Sequence, residues 1–372
     1  MNLIELHILQ SFPVTCLNRD DVGAPKSALF GGSQRARVSS QCWKRAIRLQ
    51  AKELAPERFA GQRTRFLVRE LKKAFHEAGQ EDVRAGLLAT AAADAIGKLD
   101  SVEKGNVKTL LFFSPDELKG VVEAMLECDF GDDLALVYDE AVAKTAREKA
   151  AKKVQDIAKK AVKAFGGKVK DAADIAVFGR MVADDHSLMI EGAGLFSHAI
   201  STHSTANEID FFSAVDDKNT DGDEGAGHIG TLEFNSACYY RYVGLNLDLL
   251  DDAEHLAHLA EDEQRQVVDA FLRAAILAVP AARKNSMFGH NPPAYVLGLR
   301  RTGQPLSLVN AFESPVRSSH GYVEASIAAL DGHWHKLAET YCLQSQVQSA
   351  ARIPEMNLDQ FIARLTGDDQ HE

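Results

Sequence analysis

The sequence lacks most of the signatures that mark an enzyme, a secreted protein or a membrane protein. Its five cysteines, Cys16, Cys42, Cys128, Cys238 and Cys342, are scattered and never spaced C-x-x-C, so reduced thiols in a cytoplasm are the plain reading. No apolar run reaches the ~18 residues that cross a bilayer. The opening residues Leu3, Ile4, Glu5 and Leu6 carry no basic n-region. A cytoplasmic chain with no membrane partner is therefore expected. No G-x-S-x-G elbow occurs. The short histidine pairs His255/His258 and His333/His335 have neither an H-E-x-x-H frame nor a cysteine partner. Asp20-Asp21 and Asp184-Asp185 are tandem carboxylates rather than a separated acid and base. A nuclease metal set assembled from Asp184, His186 and Glu191 has no sequence signature of its own. The expectation is a protein that is not an enzyme and needs no cofactor and no metal.

The most telling absence is local. Between Val22 and Lys52 there is no Asp or Glu, yet Lys26, Arg35, Arg37, Lys44, Arg45, Arg48 and Lys52 all fall there. The chain as a whole carries a formal net charge of -11, which argues against indiscriminate binding to nucleic acid. Positive charge gathered in one acid-free segment of such a chain points to a phosphate backbone as partner. A second basic run, from Lys144 to Lys170, sets Arg147, Lys149, Lys152, Lys153, Lys159, Lys160, Lys163 and Lys168 against only Glu148 and Asp156. This run reads first as a solvated helix face.

What is present is an ordinary globular composition, 45% hydrophobic and 26% charged, and 372 residues suffice for roughly two or three structural units. Leu3 to Phe12 alternates as a half-buried strand, with Glu5 and His7 on the polar side. After the Gly31-Gly32 turn, Ser39 and Ser40 stand where an N-cap belongs. Trp43, Ala46, Ile47, Ala51 and Leu54 then recur at helical spacing. Gln41, Lys44, Arg45, Arg48 and Lys52 occupy the opposite sector of that helix. A helix N-terminus and a Gly-Gly turn beside the arginines both favour phosphate over mere solubility.

From Glu57 to about Asp171 the pattern is helical, broken at Gly79, Gly97, Pro115, Gly131 and Gly166-Gly167. Strands are predicted at Ile175 to Met181, Leu232 to Leu249 and Ala294 to Leu299, and a long helix at Ala253 to Val279. Without its insertions the order is strand, helix, strand, strand, helix, strand, the split βαβ pattern of ferredoxin-like and RNA-recognition folds. An α+β class follows. Ile209 to Glu233 reads as a protruding hairpin-like arm, on which Phe211-Phe212 either packs in a core or wedges between bases.

Two other motifs fail on context. Gly225 to Gly230 satisfies G-x-G-x-x-G but leads into a strand-like run rather than a helix. Asp217, Asn219, Asp221 and Gly222 imitate a calcium loop whose twelfth position is His228 instead of Glu.

C-L-N-R-D-D (Cys16 to Asp21), F-G-G-x-x-R-x-R-V-S-S-Q (Phe30 to Gln41) and K-R-A (Lys44 to Ala46) resemble the CasC family, the backbone subunit of type I-E CRISPR Cascade. So do G-R-M at Gly179 to Met181, S-H-A-I-x-T-H at Ser197 to His203, D-F-F-x-A-V-D-D at Asp210 to Asp217 and H-I-G-T-x-E-F at His228 to Phe234. Y-R-Y at Tyr240 to Tyr242, N-A-F-E at Asn310 to Glu313 and Gly321-Tyr322 complete the series.

The resemblance implies an RNA-recognition-like (RRM/ferredoxin-like) palm with a large helical insertion as fingers and a β-hairpin thumb. The corresponding boundaries are 1–55 and 173–204 for palm and web, 56–172 for the fingers, 205–234 for the thumb and 235–372 for the remaining palm and C-terminal extension. It implies an antiviral ribonucleoprotein in which copies of the chain polymerise along a CRISPR RNA spacer beside other Cascade subunits. The guide is presented in kinked segments that pair with target DNA.

Asn18, Arg19, Lys26, Arg35, Arg37, Ser39, Ser40, Gln41, Lys44, Arg45 and Arg48 become candidate guide-backbone contacts. Arg180 and Met181 fall beside displaced bases, and Phe211, Phe212, His228 and Ile229 on the thumb. The rival from another class is a ribonuclease that processes CRISPR RNA; a third reading is a purely protein-binding structural subunit.

Overall fold

A computed structural model describes residues 1–101, 105–138, 141–165, 172–181, 189–214, 228–283 and 285–367. Its strands are β1 (Asn2–Thr15), β2 (Ser27–Phe30), β3 (Ser33–Val38), β4 (Gln62–Thr64), β5 (Leu99–Ser101), β6 (Asn106–Val107), β7 (Leu111–Phe113), β8 (Gly194–Phe196), β9 (Ala199–Ser201), β10 (Glu208–Ala214), β11 (His228–Asn246), β12 (Tyr295–Thr302) and β13 (Val347–Ile353). Its helices are α1 (Ser40–Leu54), α2 (Leu67–Glu77), α3 (Asp82–Gly97), α4 (Pro115–Leu126), α5 (Asp133–Tyr138), α6 (Lys144–Phe165), α7 (Ala173–Phe178), α8 (Leu247–Leu250), α9 (Glu261–Leu277), α10 (Val323–Thr340) and α11 (Leu358–Thr366). Two compact units result: a sheet unit of Met1–Ala55, Gly194–Asp248 and Asp262–Glu372, and a helical unit of Pro56–Ala193 and Leu249–Glu261.

In the sheet unit the strand order is β13-β12-β1-β11-β9-β3-β2, with β8 and β10 also paired to β11. β1 is central. It runs antiparallel to β11 from Leu3↔Asn246 to Phe12↔Ala237, and to β12 from Asn2↔Thr302 to Leu9↔Tyr295. Its expected polar face is not solvated, because Glu5 and His7 are both buried. The face bearing Leu9, Tyr240 and Tyr242 is covered by Leu308, Phe312 and the α10 residues Leu330 and Trp334. Glu5 there accepts from Tyr242 Oη (2.6 Å) and the Leu306 N–H (2.8 Å), and pairs with Arg301. Alternation reported two distinct faces correctly; both are interior.

The opposite face carries α1 and α9, and the buried Arg241 joins them to the sheet. Its Nε donates to Gln10 Oε1 on β1 (3.2 Å), and Nη1 and Nη2 donate to the Ala275 and Ile276 carbonyls (2.5 and 2.9 Å) in the last turn of α9. Those carbonyls belong to the set a helix leaves without intrahelical donors. The guanidinium also lies 4.2 Å from the Trp43 ring centre on α1, where the quadrupole favours a cation. α1 buries Trp43, Ile47 and Ala51, spaced to fall on one side of the helix.

In the helical unit, α2 to α6 pack through Leu71, Phe75, Leu88, Ala92, Val121, Met125, Val154 and Ala158. The predicted strand at Ile175 to Met181 is instead α7, with every residue buried, ended by Gly179 at φ 75°. A short apolar run surrounded on all sides has no periodicity by which a helix differs from a strand. Likewise α9 begins only at Glu261, and Leu256 is buried from a turn rather than from a helix. Along the chain the division between units falls after Ala55, after Ala193, after Asp248 and after Glu261.

Candidate nucleic-acid interface

The arginine-rich segment read as a turn is a hairpin. β2 and β3 pair from Ser27↔Ala36 to Phe30↔Ser33, and Gly31 and Gly32 turn it with φ of 56° and 72°, the doubly positive geometry of a type I′ turn. A Cβ on Gly31 would lie 1.6 Å from the Glu313 carbonyl oxygen. The close backbone approach expected for a phosphate is therefore occupied at Gly31 by the chain itself, while Gly32 is open.

The loop before the hairpin is rigid for local reasons. Asp20 Oδ1 accepts from the Val22 and Ala24 N–H groups (3.0 and 2.9 Å), and the Asn18 carbonyl from the Lys26 N–H (3.0 Å). Asn18 Oδ1 accepts from the Ser39 N–H (2.9 Å), which ties the loop to the start of α1. Ser39 is the N-cap, its hydroxyl accepting from the Cys42 N–H (3.3 Å). The Ser40 N–H donates to His198 Nδ1 (3.1 Å). The Ser40 and Cys42 amides of the first turn are thus satisfied within the chain.

Four of the expected cations stand together at this edge. The His198 imidazole is lowered by burial and then by the charges of Arg37 and Lys26; the Cys42 thiol is raised by burial and drawn back by Arg45 and Lys26. Arg19 acts in the same way on Cys16, together with Arg283. Arg19 and Arg45 are exposed, Lys26 and Arg37 half-buried. None of Arg19, Lys26, Arg37, Arg45 and Arg283 forms an ion pair with a carboxylate among the described residues. The acids near Cys16 are otherwise engaged, Asp20 by backbone amides and Glu233 by Asn207 Nδ2 (3.1 Å). Lys44 lies 5.0 Å from the Phe196 ring centre, Arg48 is half-buried, and Gln41 and Ser40 are exposed and half-buried on the same helix.

Two expected guide contacts are corrected. Arg35 is fully buried, donating to Ser33 Oγ (2.9 Å) and to the Ser201 and Phe312 carbonyls (2.9 and 2.8 Å). It pins the hairpin to the body of the sheet and has no donor left facing solvent. Arg180, in the helical unit, is 4% exposed and paired through Nη1 with Glu117 Oε1 (2.6 Å). Glu117 also closes the capping box of α4 with Ser114. The adjacent Met181 is 82% exposed.

On the β10–β11 hairpin the two phenylalanines part company. Phe212 lies across Gly230, whose added Cβ would meet its ring at 2.4 Å, whereas Phe211 is 73% exposed. His228 and Ile229 pair with Ala214 and Ser213. Asp184, His186, the calcium-like turn and Gly225 to Gly227 lie outside the described residues. Among the described residues no cluster of three His, Cys, Asp or Glu is placed to hold a metal, and no helix is long and apolar enough to cross a membrane. Sequence reasoning missed His198, although it lies inside S-H-A-I-x-T-H, and Arg283, which no local charge pattern flags.

A family model described as CT1975-like protein matches residues 4–368. The chain belongs to the CT1975-like protein family. One solved chain from a structure described as "CRISPR RNA-guided surveillance complex, pre-nicking" is similar to this CT1975-like protein at a TM-score of 0.75 and 27% identity, over 98% of this chain and 100% of that one. A second, from a "CRISPR RNA-guided surveillance complex", is similar at a TM-score of 0.58 and 22% identity over 98% of each chain, a likeness of fold. No curated protein matches the sequence.

Proposed function

We propose that this chain is the CRISPR RNA-binding backbone subunit of a Cascade-type surveillance complex, of the CasC kind. The observation that carries the reading is the set Arg19, Lys26, Arg37 and Arg45: cations without carboxylate partners, on one edge, in a chain of net charge -11. Such a surface holds phosphates and leaves base edges free, as a guide that must pair with target DNA requires. The full-length likeness to a chain of an RNA-guided complex supports the same partner.

The sheet order β12-β1-β11-β9, with α1 after β1 and α9 between β11 and β12, supports an RNA-recognition-like palm. Because α1 and α10 cover its two faces, the guide runs along the edge formed by the β2–β3 hairpin and α1. The helical unit serves as fingers and the β10–β11 hairpin as a thumb, with the exposed Phe211 ring as its base-displacing element. Copies line up along the spacer, and the protein acts by geometry, holding the guide in kinked segments without cleaving it.

Co-expression with a CRISPR RNA, followed by sizing and RNA extraction, tests this. A ribonucleoprotein containing several copies per intact guide is expected. A monomer free of nucleic acid, or stoichiometric cleavage of a precursor transcript, contradicts it.

A further inference from the structure

Between α1 and the segment that follows α9 lies a cleft of about 450 Å³, within the size range of pockets that take small planar ligands. Leu17 and Leu49 line one part of it, and Pro280, Met287 and Phe288 another. The Phe288 ring is 69% exposed, a large aromatic surface left in water. α1 adds Arg45, Gln50 and Glu53. Gln50 Nε2 donates to Glu53 Oε2 (3.3 Å), which leaves the amide oxygen and the second carboxylate oxygen as acceptors. Arg45 belongs both to this cleft and to the cation edge. Cys42, in the cleft wall, feels the charges of Arg45 and Lys26.

We propose that the cleft receives one unpaired nucleobase of the RNA held at the cation edge, a proposal that rests on the RNA-binding reading above. A phosphate at Arg45 brings its own nucleotide to the mouth of the cleft. The base stacks on Phe288, and an exocyclic amino group donates to Gln50 Oε1 or to Glu53. Unstacked bases are held in this way, on an aromatic face with hydrogen bonds to their edge. The other candidate occupant is the Phe211 ring of a second copy. Glu208 and Asp210 both precede that ring in sequence, so docking it here brings two carboxylates to a lining whose own charges are one cation, Arg45, and one carboxylate, Glu53, which leaves an unfavourable excess of negative charge. A nucleotide brings one negative charge, which Arg45 at the mouth matches, and its base enters uncharged.

The test places 2-aminopurine at successive positions of a synthetic CRISPR RNA bound to the full chain. At least one position is expected to be quenched, with fluorescence recovering twofold or more in Phe288→Ala, whose exposed ring the fold does not need. Short-RNA affinity should fall about tenfold, while the salt dependence stays unchanged because the phosphate-binding side chains remain. Leu49→Trp, which fills the cleft, should reproduce the recovery. Quenching that is identical in the wild type and both variants overturns the cleft proposal and leaves RNA binding standing. Unchanged quenching with loss of copy-to-copy assembly in Phe288→Ala assigns the cleft to a second copy and also overturns it. A wild-type chain that binds no RNA at all overturns instead the reading beneath it.

Discussion

Arg241→Met removes the guanidinium that joins β1, β11, α1 and α9 while keeping most of the side-chain stem. Replacing a buried ion pair by apolar residues is often neutral, because both charged partners go together. Here the partners are two backbone carbonyls, of Ala275 and Ile276, and Gln10 Oε1, and no substitution at position 241 takes the carbonyls away. Each acceptor left without a donor costs about 1–3 kcal/mol. Relief of burying the charge recovers part of this, since burial pushes Arg241 down to about 9, which still leaves it protonated at neutral pH. A net loss of about 4 kcal/mol is expected from these acceptors together. Urea unfolding followed by tryptophan fluorescence reports it directly, because Trp43 lies beneath the guanidinium. With a slope of about 3 kcal/mol per molar urea, the midpoint falls by about 1.3 M. A loss below about 1 kcal/mol, the size of a single ordinary hydrogen bond, refutes the view that Arg241 fastens the two helices.

Gly31→Ala forces a Cβ to 1.6 Å from the Glu313 oxygen at a φ of 56°. It should displace the β2–β3 hairpin and weaken RNA binding, read by titration against Gly32→Asn, which the open site tolerates. His7 is pushed down to about 3 by burial and then by Arg301. Its pKa is below the unfolded value of 6.5, so the unfolded chain takes up the proton first as pH falls. Its contribution to stability is complete above pH 6.5 and is lost between pH 6.5 and about 3, at about 1.4 kcal/mol per pH unit over most of that window. His7→Gln should flatten that slope in denaturation measured at several pH values. Phe212→Ala should loosen the β10–β11 hairpin, seen as faster amide exchange in Thr231 and Leu232. Phe211→Ala should leave exchange unchanged and alter only the chemical reactivity of spacer bases.

The elements legible in the sequence were those with a clean period or a strong punctuator. β1 showed its alternation, α1 its Ser39 cap and apolar stripe, and the helical unit its glycine and proline breaks. α7 was not legible, since a run buried on every side has no polar face to reveal its period. Within the candidate site, residue type alone marked a basic segment but did not separate a surface cation from a structural one. Arg35 and Arg37 stand on one strand, yet one is sealed against carbonyls from distant loops and the other opens to the edge. The partner of Arg180 is 63 positions away, beyond any local pattern. Arg283 and His198 reach the cation edge only through the tertiary fold.

The salt dependence of RNA binding tests the central claim most directly, measured on two unrelated spacers with the wild type and with Arg19, Lys26, Arg37 and Arg45 all changed to Gln. If these side chains hold phosphates, the log-log slope should flatten by about 0.7 for each phosphate no longer neutralised on single-stranded RNA, close to 3 in total, and equally for both spacers. An unchanged slope, or weaker binding confined to one spacer, contradicts backbone binding at this edge.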